Sequence, residues 1–410
     1  METEKKRALA HIEKIAWIKP IENADNIELV GVLGWQCIAK KGEFEVGSPC
    51  VYIEIDSMVP EWNEFEFLKS RKYKIKTIRF SKFKDEYGTA VISQGIAIPV
   101  STFAGINEVV NGNEGDDVTD VLKVTYYDPE DRQRKADRVP SKYDAMKQRN
   151  KNVFGKPWVK KMMHYKWFRR IMFLLYGRKK DKPFKFPSWI SITDEDRIEL
   201  FPQYLLDYET EWLMTEKIDG TSTTFAAEKK RFGKWEFIVC SRKVRMRTPN
   251  QKCWHDENVY WQMAEKYNMQ DAIVKVAKSL SKNGVKINKI IVQGETYGYK
   301  LQGNPYKMHD VDFKAFNLIV FGKDSEGNFR KKYNTNDMVT YLTPVGVPCV
   351  PILGTFKFYD GCNMHNFKLM ADGTSQIADV LREGIVYRNI NNPDQSFKSV
   401  SNEYLLSRKK

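Results

Sequence analysis

Trp212-Leu213-Met214-Thr215-Glu216-Lys217-Ile218-Asp219-Gly220 reads as a strand that ends on a lysine and then turns. The apolar and β-branched residues favour extended backbone, and Asp-Gly is a turn pair. A lysine fixed at such a strand end can attack phosphorus once its proton is removed and the phosphate is neutralised. The four-residue K-x-D-G pattern is short enough to arise by chance. Its weight comes from a series of short segments downstream in the chain: Ser241-Arg242-Lys243, Gly294-Glu295-Thr296-Tyr297-Gly298, Lys314-Ala315-Phe316, Arg382-Glu383-Gly384-Ile385-Val386 and Phe397-Lys398.

Around this series the chain is 410 residues long, 42% apolar and 29% charged, which suits a globular protein of two or three domains. No stretch approaches the length of a membrane span, and the first residues lack the apolar core of a secretory leader. Six scattered cysteines with no C-x-x-C pair fit a reducing compartment, so a cytoplasmic location is expected. Cys253 and His255 are spaced like two metal ligands, but no second close pair accompanies them.

The net charge is +14, and it is local. Residues 131–187 hold 19 lysines and arginines against four aspartates, whereas the rest of the chain carries 48 basic and 49 acidic residues. Such a segment attracts a polyanion by counterion release, or serves as a solubilising connector. Its aromatics, Trp158, Tyr165, Trp167 and Phe168, suit stacking on bases or the buried stripe of a helix.

An α+β chain in three parts is expected: residues 1–125, a basic connector over 126–185, and residues 186–410. The first part is rich in short strands and glycine turns, as in a small barrel. Ile27–Val32 and Trp35–Ala39 should pair about a turn at Leu33-Gly34. Val51, Ile53 and Ile55 alternate with Tyr52, Glu54 and Asp56, the period of a half-buried strand. In the connector, Val159 to Tyr176 suits a helix burying Met162, Met163, Trp167, Ile171 and Leu174. The last part should contain antiparallel sheets, a long helix between Asn258 and Ser281, and another over Thr335–Leu342.

For a lysine to attack the α-phosphate of a nucleotide, the amine must be neutral and cations must surround the charged transition state. Lys398 and Arg242 suit the second need. Glu295 and Glu383 suit a divalent metal held through water, or the ribose hydroxyls. Phe316 offers a ring for the base. Taken singly, each has an ordinary structural reading; five elements in fixed order at strand edges shift that balance.

Those elements resemble the motifs of the covalent nucleotidyltransferases, the superfamily of polynucleotide ligases and mRNA capping enzymes. Glu216-Lys217-Ile218-Asp219-Gly220 resembles the nucleophile motif and Ser241-Arg242-Lys243 the arginine motif. Gly294-Glu295 resembles the ribose-binding motif, Phe316 the base-stacking position, and Glu383-Gly384 the metal- and phosphate-side motif. Lys398 resembles the α-phosphate lysine. Pro20-Ile21-Glu22-Asn23-Ala24-Asp25 and Val51-Tyr52-Ile53-Glu54-Ile55-Asp56 are similar to an OB-like domain that precedes the catalytic domain in one branch of the RNA ligases. The resemblance implies an ATP-dependent RNA ligase, using Mg²⁺ or Mn²⁺, that joins 3′-OH and 5′-phosphate ends of RNA or of an RNA-containing nicked duplex. Lys217 would carry AMP; Glu216, Arg242, Glu295, Phe316, Glu383 and Lys398 would bind the nucleotide, with Glu383 and Glu295 toward the metal. A monomer is the default. One departure stands out: many RNA ligases carry a second lysine where Ser396 stands. The alternatives are a nucleic-acid binder with an inactive nucleotidyltransferase domain, and a DNA ligase or capping-type enzyme.

Overall fold

The computed structural model describes residues 8–127, 151–176, 186–246, 258–282 and 284–408. The Cys253/His255 pair and much of the basic connector fall outside these residues. The N-terminal part is built on strands β1 (Ala10–Pro20), β2 (Ile27–Val32), β3 (Trp35–Lys40), β4 (Pro49–Ile53) and β9 (Ile96–Pro99). They form a five-stranded antiparallel sheet in the order β3-β2-β1-β4-β9. Long β1 pairs with β4 through its first half and with β2 through its second, so one strand serves both sides of the unit. Short strands β5 (Ser57–Met58), β6 (Lys74–Ile75) and β10 (Thr125–Tyr126) form a second sheet, and β7 (Ile78–Lys84) with β8 (Ala90–Ser93) forms a hairpin. The expected pairing of β2 with β3 is present, and Leu33 makes its turn at φ 52°.

Strand β4 departs from the half-buried expectation: Val51, Tyr52 and Ile53 are all inaccessible. Val51 and Ile53 join a cluster with Ile12 and Phe65, while Cys50 and Tyr52 join a second one with Val30 and Trp35. A strand between two cores must be covered on both faces. The one polar atom of the Tyr52 side chain is satisfied by donating to the Gln94 carbonyl at 2.9 Å.

Val159–Tyr176 is likewise not one helix. Helices span Pro157–Met162 and Lys166–Tyr176. The turn between them resets the apolar phase. Phe168, Met172 and Tyr176 face a small cluster with Phe154, Val159 and Met163, leaving Trp167, Ile171 and Leu174 exposed.

From residue 186 onward two antiparallel sheets face one another. The strands of the first are β11 (Trp212–Lys217), β18 (Ile352–Phe356), β19 (Gly384–Asn389) and β20 (Ser396–Val400), in the order β18-β11-β19-β20. The second contains β12 (Thr221–Lys229), β13 (Trp235–Ser241), β14 (Arg245–Met246), β15 (Lys286–Gly298), β16 (Val311–Lys323) and β17 (Asn328–Lys332). Its order is β14-β13-β12-β15-β16-β17. Aromatic residues Trp212, Phe358, Phe367, Tyr387 and Phe397 back the smaller sheet. Helices Val259–Lys266 and Met269–Leu280 cover the larger one, burying Met263, Ile273 and Val276 against Phe225, Val292 and Leu318. The single long helix expected between Asn258 and Ser281 is thus two, broken where Asn268 takes a left-handed conformation. The helix Thr335–Leu342 is present with the expected bounds.

Candidate active site

The two sheets leave a pocket of about 510 Å³ between them, within the usual size of small-molecule sites. Strand alternation decides what enters it. On β11, Trp212 and Met214 point to the aromatic backing, so Lys217, two residues beyond Thr215, points into the pocket. Register places Lys217 opposite Gly384, Thr215 opposite Val386, and Val386 opposite Lys398. Lys217, Val386 and Lys398 therefore come from three adjacent strands to one wall. Glu295 on β15 and Phe316 on β16 line the facing wall, with Arg242 at the margin.

Two glycines permit this closeness. A Cβ on Gly220 would lie 2.3 Å from the Thr296 carbonyl oxygen and 3.0 Å from Glu295 Cγ. One on Gly384 would lie 2.3 Å from the Ser399 carbonyl oxygen. Both glycines thus allow backbone to pass backbone where the turn after Lys217 and the start of β19 meet their neighbours.

Lys217 Nζ lies 2.6 Å from Glu383 Oε1. The other carboxylate oxygen, Glu383 Oε2, is buried without a hydrogen-bond partner. Burial first, and then the charges of Glu383, Glu216 and Glu295, push the Tyr306 phenol well above its ordinary value. The charges of these three carboxylates, which come from different sides, are all felt at Tyr306. Among the described residues no group of three or more His, Cys, Asp or Glu side chains is arranged to enclose a metal ion. An orphaned carboxylate oxygen fits a different arrangement, a hydrated divalent ion shared with phosphate oxygens.

Lys398 Nζ and Arg242 Nη2 meet on one carboxylate, at 3.0 Å from Asp194 Oδ1 and 2.7 Å from Asp194 Oδ2. Phe316 is half-buried beside Ile218 and Val350, and the Arg388 guanidinium lies 5.8 Å from its ring centre. Glu216 behaves differently from the other candidates. It is 2% exposed, and its two oxygens accept hydrogen bonds from Ser375 Oγ and the Gln376 amide. Arg382, beside Glu383 in the chain, donates to the carbonyls of Met370, Ala371 and Asp372 and so fixes a loop.

Several pocket residues do not stand out in the sequence. Asp194 and Glu195 lie in a short acidic run, Asp194-Glu195-Asp196, that nothing local in the sequence sets apart from other charged stretches. Ser396, where a second lysine is common in RNA ligases, donates to Glu195 Oε2. Opposite it in register stands Arg388, 3.0 Å from Glu195 Oε1. Burial works against the Glu195 charge, but Arg388, Lys332, Ser396 and Lys398 hold its carboxyl below the usual range. Asp56, Lys76, Tyr126 and Tyr127 reach the same pocket from the N-terminal part, and nothing local in the sequence marks them.

A lysine-ended strand, paired antiparallel sheets and a carboxylate–cation pocket between them are the arrangement expected of a covalent nucleotidyltransferase. Residues 210–400 match the RNA ligase family model and residues 9–100 an OB-fold domain model. The structure is similar to Naegleria gruberi RNA ligase variants solved with ATP and manganese and with AMP and manganese, each at 25% identity and TM-score 0.69. It is similar also to that ligase with pyrophosphate, at 26% identity and TM-score 0.69. The matches cover 98% of this chain and 99–100% of theirs. A comparison with curated protein sequences gave no match. Residues 210–400 thus form an RNA ligase domain, and an OB-fold domain precedes it in the chain.

Proposed function

We propose that this RNA ligase uses ATP to adenylylate Lys217 and then passes AMP to the 5′-phosphate of an RNA end. The observation that carries this reading is Lys217 Nζ held 2.6 Å from Glu383, within a pocket also lined by Glu295, Phe316 and Lys398. In the first step the Lys217 amine, having lost a proton, bonds to the α-phosphorus; the bond to the β-phosphate oxygen breaks and pyrophosphate leaves with the electron pair. Glu383 is within reach to take that proton. The 5′-phosphate oxygen then displaces Lys217 from AMP, and the 3′-OH finally displaces AMP. The covalent adduct divides one hard transfer into easier ones.

Phe316 stacks the adenine in this reading, Glu295 holds the ribose, and Lys398 with Arg242 faces the α-phosphate after leaving Asp194. Glu216 acts behind the wall, fixing the 375–376 loop. Arg388 supplies the positive charge that Ser396 does not. Glu383, with Glu295, would hold Mg²⁺ or Mn²⁺, which neutralises phosphate charge and favours the neutral amine. The similar Naegleria gruberi structures hold ATP or AMP with manganese, which supports this choice.

Three parts are proposed, with boundaries near 125 and 185, the middle one attracting RNA through its charge. No helix among the described residues is long and apolar enough to cross a membrane. Five described cysteines are free thiols, which favours the cytoplasm, and a monomer suffices for a pocket built from one chain. Incubation with α-labelled ATP and a divalent metal, followed by denaturation, should leave label on the wild type and none on Lys217→Ala. Label from GTP instead would point to capping chemistry, and an absence of any adduct would leave a nucleic-acid binder. Sealing of nicks with RNA or DNA at the 3′-OH side separates RNA from DNA ligation.

A further inference from the structure

The last helix, Asn402–Ser407, lies against the nucleophile turn rather than trailing from the domain. The Tyr404 hydroxyl donates to Asp219 Oδ2 at 2.5 Å, and the Arg408 guanidinium pairs with the same carboxylate. Arg408 also donates to Tyr404 Oη at 3.2 Å and to the Gln302 carbonyl. The Asp219 amide in turn donates to Tyr306 Oη at 2.9 Å. The start of the helix is tied to the other partner of Lys217, because the Ser401 amide donates to the Glu383 carbonyl at 2.9 Å. Ser401 Oγ accepts from the Tyr404 amide and donates to Asp372, which fixes the helix direction. The outer side of the same helix holds the OB-like part: Glu403 pairs with Arg79, and Asn402 accepts from Gln94 at 3.1 Å. Leu405 packs on the core around Trp35 and Tyr52.

We propose that residues 401–408 form a positioning clamp for the nucleophile. Tyr404 and Arg408 fix the Asp219 turn two residues after Lys217, while Glu403 and Asn402 make that grip depend on a docked OB-like part. This rests on the reading of Lys217 as the adenylylated residue. Asp219 is joined to Lys217 through Ile218 alone, so releasing its carboxylate lets the strand end move. An amine off line by a fraction of its reach attacks more slowly although ATP still binds.

The test is single-turnover self-adenylylation of the full chain with α-labelled ATP, measured over a range of ATP concentrations. Arg408→Met and Tyr404→Phe should each slow the maximal rate about tenfold, with half-saturating ATP changed less than about threefold. Tyr404→Phe removes one oxygen from a buried ring, so it keeps the fold if Arg408→Met does not. Asp219→Asn combined with Arg408→Met should be no slower than Asp219→Asn alone, because both changes break one contact. Arg79→Met, outside the pocket, should slow the same step. Wild-type rates in Arg408→Met and Tyr404→Phe, or losses that multiply in the double variant, would overturn the clamp. No adduct on the wild-type protein would instead sink the assignment of Lys217 itself.

Discussion

Glu216 and Lys217 are neighbours in the chain and face opposite ways, which the sequence pattern shows only once the buried face is known. With Lys217 in the pocket, Glu216 must lie behind it, where Ser375 and Gln376 satisfy its charge. Glu216→Ala leaves the buried Ser375 hydroxyl without this acceptor and frees the Gln376 amide, so a loss of about 1–3 kcal/mol is expected in urea unfolding. Unchanged stability in Glu216→Ala would mean the loop does not depend on that carboxylate. A second residue-scale consequence concerns His11, 4% exposed in the OB-like core. Burial alone would lower its basicity, but the hydrogen bond with Glu13 at 2.7 Å and the nearby charges of Glu13 and Glu54 raise its pKa to about 9. Its unfolded value is near 6.5, so the stabilisation is complete below that pH and is lost as pH rises through about 9. The shift corresponds to about 3 kcal/mol. Melting temperature should fall between pH 6.5 and 9.5 in the wild type and change less in His11→Gln. Lys217 closes β11 and Arg242 and Glu383 flank strand ends, but Glu295, Phe316 and Lys398 lie inside β15, β16 and β20, so the motif residues are legible through their order along the chain. Asp194, Glu195 and Arg388 are not, since a charged residue in a basic chain acquires meaning only from what faces it.

At the scale of elements, strands are easier to place from sequence than helix ends. The antiparallel sheets follow from apolar runs whose lengths match strands, and the structure keeps nearly all of them. The two helix departures share a cause: in both, the apolar period read from the sequence runs on although the backbone breaks, and the break between Met162 and Lys166 changes which residues pack. Asn268 interrupts Val259–Leu280 at φ 43° and ψ 47°, and its side-chain amide donates to Asp271 at 3.1 Å. Asparagine tolerates this left-handed backbone better than other residues with a side chain. Asn268→Ala should cost roughly 1 kcal/mol, and Asn268→Gly should cost less, because glycine meets no steric penalty there. Urea titration of both variants decides it; an alanine variant as stable as the glycine one would show that the two helices can merge. In Lys166–Tyr176 the helical period is plain in the sequence, but a helix with apolar residues on most sides does not announce which side packs.

Across the whole molecule, the pocket around Lys217 is completed by residues of the OB-like part, so the proposed chemistry and domain docking share one interface. That interface is polar at its centre. The Gly34 amide donates to the Glu199 carbonyl at 2.8 Å, and Arg197 reaches Asp56 at 3.3 Å. Lys368 pairs with Glu199, donates to Gln94 Oε1 at 3.2 Å, and stands 5.6 Å from the Trp35 ring centre. Lys368 and Glu199 are 7% and 0% exposed, so neither charge is relieved by water. Removing one partner of such a pair leaves the other buried and uncompensated, a loss of about 3–5 kcal/mol. Lys368→Met should therefore loosen the OB-like part before the catalytic sheets unfold. Calorimetry should show the wild type melting in one transition and Lys368→Met in two. Adding Glu199→Gln should recover part of the loss, since it removes the stranded charge. If Lys368→Met melted as the wild type does, the contacts of Lys368 with Gln94 and Trp35 would not hold the interface. If it melted in one lowered transition, the two parts would unfold as one unit held by the packing around Trp35.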